Sequence, residues 1–445
     1  MIATVFTATI VGYGCWAAFT GHGRITPLRI GYGPDSALYV RAARAPLWSA
    51  EFLATPHGGP FLYLVVAKLC LRDLRAIVVV QSLIAAAAWV FLARCVSGLL
   101  SDPLVRTAGF VVMLLIALSP PVLLWNAVIS TESLAVSLLA LAVALWLRVA
   151  TGGDQKSIFL LVVVLIALAC TRDTNAYLLL AIGVLAAAVA VARGHLRRRA
   201  IVMAVACLLG AILTIGLSNH ARRWYYPVSE TITLRIMGSP MATKYFVAHG
   251  MPEEARLQIE HDTYAGLPHA LASGPEYRAF QVWVLNHGRS TYTTFLATHP
   301  GWDLGKPFAD RRRFLAPSLL QYGAAYDIEP QGLFRALGAL GFPGSVVLVE
   351  VWAAGAVLAA VAFARTRTRR PLVTAIAVTS GLAIVSFVLS WHGDALETDR
   401  HSLSAAVELR IALWVVAAIT LDLAATRIRS RKCQAPDTRG RVRRR

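Results

Sequence analysis

Apolar runs of about twenty residues recur along this chain, separated mostly by short connections dense in arginine. Such a run is what an α-helix needs to cross the roughly 30 Å hydrocarbon core of a bilayer. In lipid every backbone N–H and C=O must be satisfied internally, so a spanning segment is a helix or part of a closed barrel. The runs here lack the in–out alternation of barrel strands. Hydrophobic residues make up 57% of the 445 and charged residues 15%, against about half and a quarter in a soluble domain. The sequence therefore predicts an all-α polytopic membrane protein with about ten transmembrane helices.

The spans are expected near residues 2–20, 74–98, 105–124, 129–149, 157–171, 176–193, 200–217, 346–364, 371–390 and 403–424. They divide the chain into an N-terminal transmembrane module (1–217) with an outer loop at 21–73, a large loop (218–345), three C-terminal helices (346–424) and a basic tail (425–445). The first segment lacks a basic n-region and a clean small-x-small cleavage site, so it reads as a retained helix rather than a signal peptide. Placing both termini in the cytoplasm puts "RGHLRRR", "RTRTRR" and the tail inside, as the positive-inside rule requires. The first loop, "TRDTNAY", the large loop and "WHGDALETDRHS" then face outward at the cell membrane. Pieces of the large loop such as "EYRAFQVWVLNHGRSTYTTFLATHP" carry aromatics at helical spacing, so that loop is expected to be mostly helical.

The net charge of +19 resides largely in inter-helix loops and the tail, which the positive-inside rule accounts for; no nucleic-acid-binding module is present. The six cysteines show no CxxC spacing, and five lie in or beside apolar segments as small hydrophobes. The sequence contains no P-loop, no HExxH and no GxSxG in a strand–turn–helix setting.

Chemistry must then come from polar residues at the outer helix ends. Asp35, in "GPDSALY", follows a Gly-Pro break and opens a stretch that can form an amphipathic surface helix. It either caps that helix, where a carboxylate is favoured in any case, or faces a cavity. Glu51 and His57 follow in the same loop and are further cavity candidates. Glu132 stands near the outer end of its span, to line a cavity or to cap the helix. Arg172 serves an anion, for which its planar fork is suited, or pairs Asp173, a cavity candidate itself, or snorkels to headgroups. Arg400 and His401 open the last span, Arg400 beside Asp399; Arg289 and His299 lie in the large loop. Glu408 and Arg410, two apart on a helix, face different directions, so each needs another partner, and Glu408 reads as structural.

The order apolar helix, D-S-x-x-Y, amphipathic helix, "HGGPFLYLVVAK", second helix resembles the first outer loop of GT-C-type glycosyltransferases. These polyprenyl-phosphate-sugar-dependent enzymes include protein O-mannosyltransferases, aminoarabinose lipid A transferases and actinobacterial wall arabinosyltransferases. "SPPVLLWNAVISTESLA" is similar to the family's outer turn, with Glu132 at the position of an acid. "TRDTNAY" and "DRHSLSAAVELR" are similar to its later polar turns. Ser36 stands where the family often has a second acid, and Gly59-Pro60-Phe61 where it has Pro-Pro-Leu. The resemblance implies amphipathic juxtamembrane helices and inverting transfer of a hexose or pentose from a polyprenyl-phosphate donor. It also implies a cell-envelope hydroxyl on a glycan, lipid or protein as the acceptor, with Asp35 as general base. The donor phosphate is then expected against Arg172, Arg400, His401 and Arg289. No ligand cluster compels a metal, and a divalent cation (Mg or Mn) bridging Asp35 and the phosphate stays open.

Two other readings remain. An O-antigen-ligase or polysaccharide-polymerase-like transferase would rely on Arg289 and His299 of the large loop. A transporter or lipid flippase would want charged or broken helices at the bilayer midplane. The absent second acid also leaves open an inactive scaffold of the same fold.

Overall fold

The computed structural model describes residues 1–19, 31–32, 34–55, 61–192, 197–253, 275–317, 333–364, 370–395 and 398–434. Its regular secondary structure there is helical, apart from one isolated parallel bridge, Gly31 to Val128. The chain is an all-α polytopic membrane protein. Among the described residues six helices are long and apolar enough to span a bilayer, and a bent pair makes a seventh. Shorter apolar helices occupy the remaining expected spans, at Ile2–Gly12, Gln155–Ala169 and Val346–Ala362.

The N-terminal half runs α1 (Ile2–Phe19), α2 (Pro34–Ala42), α3 (Ala50–Leu53), α4 (Phe61–Leu69), α5 (Leu74–Gly98) and α6 (Pro103–Leu118). There follow α7 (Pro120–Leu123), α8 (Thr131–Ala150), α9 (Gln155–Ala169), α10 (Asp173–Ala192) and α11 (Arg197–His220). Aspartates start three of these helices where the sequence turns apolar. Asp73, Asp102 and Asp154 each accept backbone N–H groups of the following first turn, satisfying donors that have no partner inside the helix.

Helix α8 is the centre of the bundle, with 67% of its apolar window buried, against 39% and 33% for α10 and α11. It packs on α5, α9 and the two last helices. The outward faces of α10 and α11 carry Val184, Leu185, Leu209, Ile212 and Leu213 in the open, as lipid-facing helices do.

The third expected span, 105–124, is not continuous: α6 ends at Leu118 and the next segment turns away by 58°. Pro120 and Pro121 supply no N–H, and a residue preceding proline is pushed out of the helical region. Ser119 accordingly lies at φ −65°, ψ 143°. The redirected chain, α7 and a tight turn over Leu124–Ala127, crosses the end of the bundle before α8 begins.

The large loop is built from α12 (Tyr225–Thr231), α13 (Pro240–Ala248), α14 (Pro275–Trp283), α15 (Arg289–Thr298), α16 (Pro300–Ala309), α17 (Arg312–Leu315) and α18 (Leu333–Gly341). Its aromatic residues Phe246, Phe280, Trp283, Tyr292, Phe295 and Trp302 are buried against the bundle core. Then come α19 (Val346–Ala364), α20 (Arg370–Gly393) and α21 (Thr398–Gln434). The last helix extends well past the expected 403–424, and its arginine-rich end continues as helix.

At the opposite end of the bundle, the Asp422 carboxylate accepts Ser101 N and Asp102 N at 2.8 and 2.7 Å, while Arg429 pairs with Asp102 at 2.6 Å. Mid-helix Arg410, fully buried, donates to the carbonyls of Leu315 and Pro343 and lies 4.0 Å from the Phe342 ring centre. It answers the need for a partner by tying α17 and the α18–α19 connection to α21 rather than by pairing Glu408. Glu408 is likewise buried.

Candidate functional site

The first loop and the segment after the proline break build one floor. Gly31 N donates to Ala127 O and Ile129 N donates to Gly31 O, both at 2.9 Å. Only glycine fits: a Cβ there would lie 2.6 Å from Val128 Cγ2. Ser36, fully buried, donates to Ile129 O at 2.6 Å and clasps α2 to the segment before α8. From α5, buried Gln81 donates its Nε2 to the carbonyls of Asn126 and Val128 at 2.8 and 2.9 Å, with Trp125 O at 3.3 Å. Ser133 holds the Asn126 side chain at 2.6 Å.

Helix α4 closes one side. Its first turn donates Leu62 N to Cys170 O at the end of α9. Its Lys68 donates to Ala43 O and Ala45 O beyond α2. Tyr39 of α2 meets Tyr63 of α4 edge-on, ring centres 5.0 Å apart.

Four charged side chains from four places in the chain converge on this floor. Glu132, in the first turn of α8, receives Arg172 from the α9–α10 junction and Arg400 from the first turn of α21; Ser130 also donates to it. Arg172 reaches Thr131 Oγ1 at 3.4 Å as well. The second arm of Arg400, Nη2, meets Asp35 Oδ2 at 2.8 Å. Glu132, Arg400 and Arg172 side chains are 1, 5 and 7% exposed, whereas Asp35 is 33% exposed. Helix starts favour carboxylates, so α8 and α2 support Glu132 and Asp35, each in a first turn. Burial pushes the Tyr39 phenol up and the neighbouring Asp35 carboxylate adds to this. Burial does the same for Tyr63. Both phenols stay neutral and leave the charge to the four.

Arg172 and Asp173, neighbours in sequence, each take a partner from elsewhere in the chain. Arg172 takes Glu132, while Asp173 pairs with Arg223, Nε to Oδ2 3.0 Å. Arg223 is a residue the sequence reading passed over. It follows Arg222, which sits at φ 53° in a left-handed cap closing α11, with Arg223 N donating to Ser218 O. That turn swings the Arg223 guanidinium back to Asp173 and, at 3.4 Å, to Thr55 O.

Of the remaining candidates, His401 Nε2 lies 3.2 Å from Asp394 Oδ2. Glu51 is exposed on α3. His57 lies outside the described residues, as do Gly59 and Pro60. Arg289 donates to Asn219 Oδ1 at 2.6 Å and lies 5.8 Å from the Trp224 ring centre. His299 Nδ1 lies 3.0 Å from Phe295 O and its ring stacks on Phe295. The structure does not bring Arg289 or His299 to the four.

A second polar group, also unmarked in the sequence, ties the large loop to the start of α21. The Tyr292 hydroxyl meets His392 Nδ1 at 2.7 Å, and His392 Nε2 meets Asp303 at 2.8 Å to Oδ1. Arg235 donates to Asp394 O at 3.2 Å and to Thr398, and stacks 3.8 Å from the Trp391 ring centre. Burial draws the Arg235 pKa down to about 10, so it keeps its charge at neutral pH.

Among the described residues no three His, Cys, Asp or Glu side chains gather as metal ligands would. The two carboxylates of the site face guanidinium groups.

No family model matches the chain, and no curated protein matches it in sequence. In shape it is similar to the archaeal oligosaccharyltransferase AglB from Archaeoglobus fulgidus in complex with an inhibitory peptide and a dolichol-phosphate. The TM-score is 0.44 and the identity 11%, over 97% of this chain and 52% of that one. The Archaeoglobus fulgidus oligosaccharyltransferase in the apo form gives 0.43 and 11% over the same shares. The chain thus spans about half the length of those proteins.

Proposed function

We propose that this chain is an integral-membrane glycosyltransferase that moves a sugar from a polyprenyl-phosphate donor to a cell-envelope hydroxyl at the extracytoplasmic face. The observation that carries the reading is the meeting of Asp35, Glu132, Arg172 and Arg400 at the starts of α2, α8 and α21 and the α9–α10 junction. All four stand at helix ends, where a lipid's phosphate lies while its tail remains in the bilayer. The resemblance of "DSALY" and its flanks to the GT-C first loop points the same way.

In the reaction, Asp35 takes the proton of the acceptor hydroxyl. The acceptor oxygen bonds to the anomeric carbon from the face opposite the phosphate, inverting it. The bond from that carbon to the phosphate oxygen breaks, and its electron pair stays on the phosphate. Arg172 and Arg400 stabilise the added negative charge in a water-poor setting, where fixed cations act strongly. General-base help of this kind contributes about 10²–10⁴-fold.

The test is transfer of radiolabel from polyprenyl-phosphate sugars to an envelope acceptor extract by purified protein. Wild type should transfer, and Asp35→Asn should fall by about 10²–10⁴-fold. Tolerance of Asp35→Asn alongside loss in Arg289→Ala or His299→Ala would establish the ligase-like alternative instead. Movement of the lipid between leaflets with no new glycosidic bond would make the protein a transporter.

A further inference from the structure

Taken with the glycosyltransferase reading, on which it rests, the site presents a difficulty: the base is already ion-paired. The Asp35 Oδ2 that would take the acceptor's proton is occupied by Arg400 Nη2, 2.8 Å away. The geometry resolves this through an asymmetry between the two arms of Arg400. Its Nε is bound to Glu132, which is 1% exposed and shared with Arg172; its Nη2 is bound to Asp35, 33% exposed and carried on a nine-residue helix of the first loop. Two guanidinium groups around one buried carboxylate leave a single positive charge, and Asp35 neutralises it from the open side. A sugar–phosphate–polyprenol is a phosphodiester and carries one negative charge. It matches Asp35 in charge and presents the paired oxygens that a guanidinium fork prefers.

We propose that the donor's phosphodiester takes the place of Asp35 on Arg400, and that the base is released by donor binding. The Asp35–Arg400 pair is thus a placeholder. It keeps the buried arginines neutralised in the empty site and keeps the base silent until a donor is seated. Glu132 stays in place throughout as the anchor of both arginines. The order of events is fixed: donor first, then deprotonation of the acceptor. Removing the carboxylate of Asp35 should therefore cut transfer by about 10²–10⁴-fold yet strengthen lipid phosphate binding, because a competitor for Arg400 has gone. A residue whose only role is structural would weaken both.

The test measures binding of the methyl ester of undecaprenyl phosphate, a phosphodiester with one negative charge, to the full-length protein in nanodiscs, for wild type, Asp35→Asn and Asp35→Glu, each checked for a monodisperse elution profile. Asp35→Asn should bind about two- to fivefold more tightly than wild type, the range set by one partly exposed ion pair. Asp35→Glu, which keeps the charge, should stay close to wild type. Equal or weaker binding by Asp35→Asn overturns the exchange while leaving the donor assignment intact. Failure of all three to bind, in protein that elutes as a single species, overturns the donor assignment and the exchange with it. Should Asp35→Asn not fold, Asp35→Ser serves in the same comparison.

Discussion

Glu132 is the residue on which the site's electrostatics turn. Taking ions out of water is costly, and their attraction compensates only when the geometry is good and the remaining polar atoms are met. Here one carboxylate meets Arg172, Arg400 and Ser130 together. Replacing it with alanine would leave two guanidinium groups buried without their common counter-ion. Breaking such a pair costs about 3–5 kcal/mol, so Glu132→Ala should lower the thermal midpoint in detergent far more than Glu51→Ala at the exposed α3 position. Equal midpoints for the two variants would mean that the buried cluster contributes no net stability. The identities of these charged residues were legible in the sequence, but their pairings were not. Arg172 and Asp173 are neighbours, yet each finds its partner elsewhere: Arg172 goes to Glu132, forty residues back, and Asp173 to Arg223. Successive residues on a helix point about 100° apart, so adjacency at a helix start argues against pairing. The partner is set by which helix ends lie side by side, and that is a property of the packed bundle.

Among the elements, the apolar spans were largely readable because their boundaries are chemical. An aspartate begins α5, α6 and α9, and the hydrophobic run sets the length of each. The fold-back after α6 was not readable. "SPP" signals a break, but the direction taken depends on what receives the chain afterwards. The receivers are Gln81 on α5 and Gly31 and Ser36 in the first loop. None of these declares its role locally, since a glutamine inside an apolar helix has many uses. Gln81→Leu tests the dependence. It would leave the carbonyls of Asn126 and Val128 without this donor in a dry interior, at about 1–3 kcal/mol. The variant should unfold at a lower temperature than wild type. It should also become sensitive to limited proteolysis near Leu124–Ser130, as that segment loses its tether. A variant that matches wild type in both measurements would show that Gly31 and Ser36 alone hold the floor.

For the whole molecule, the two ends of the bundle differ in the kind of charge they carry. One end holds the compensated cluster of Asp35, Glu132, Arg172 and Arg400, with Asp173 and Arg223 beside it. The other end carries Arg94, Arg106, Arg148, Lys156, Arg198, Arg199, Arg427 and Arg429 at helix termini or in short connections. Asp102 and Asp422 are the counter-charges tying α6 to α21 there. Arginine and lysine in short connections are retained on the cytoplasmic side during insertion. The site end should therefore face outward, and a lipid-linked donor would be met in the outer leaflet. Two exposed positions mark the ends: Glu51 on α3 at the site end and Lys156 in the first turn of α9 at the other. On a cysteine-less background, Glu51→Cys should react with a membrane-impermeant maleimide in intact cells, and Lys156→Cys only after lysis. The reverse pattern would place the four charged residues in the cytosol, where transfer to an external acceptor has no route.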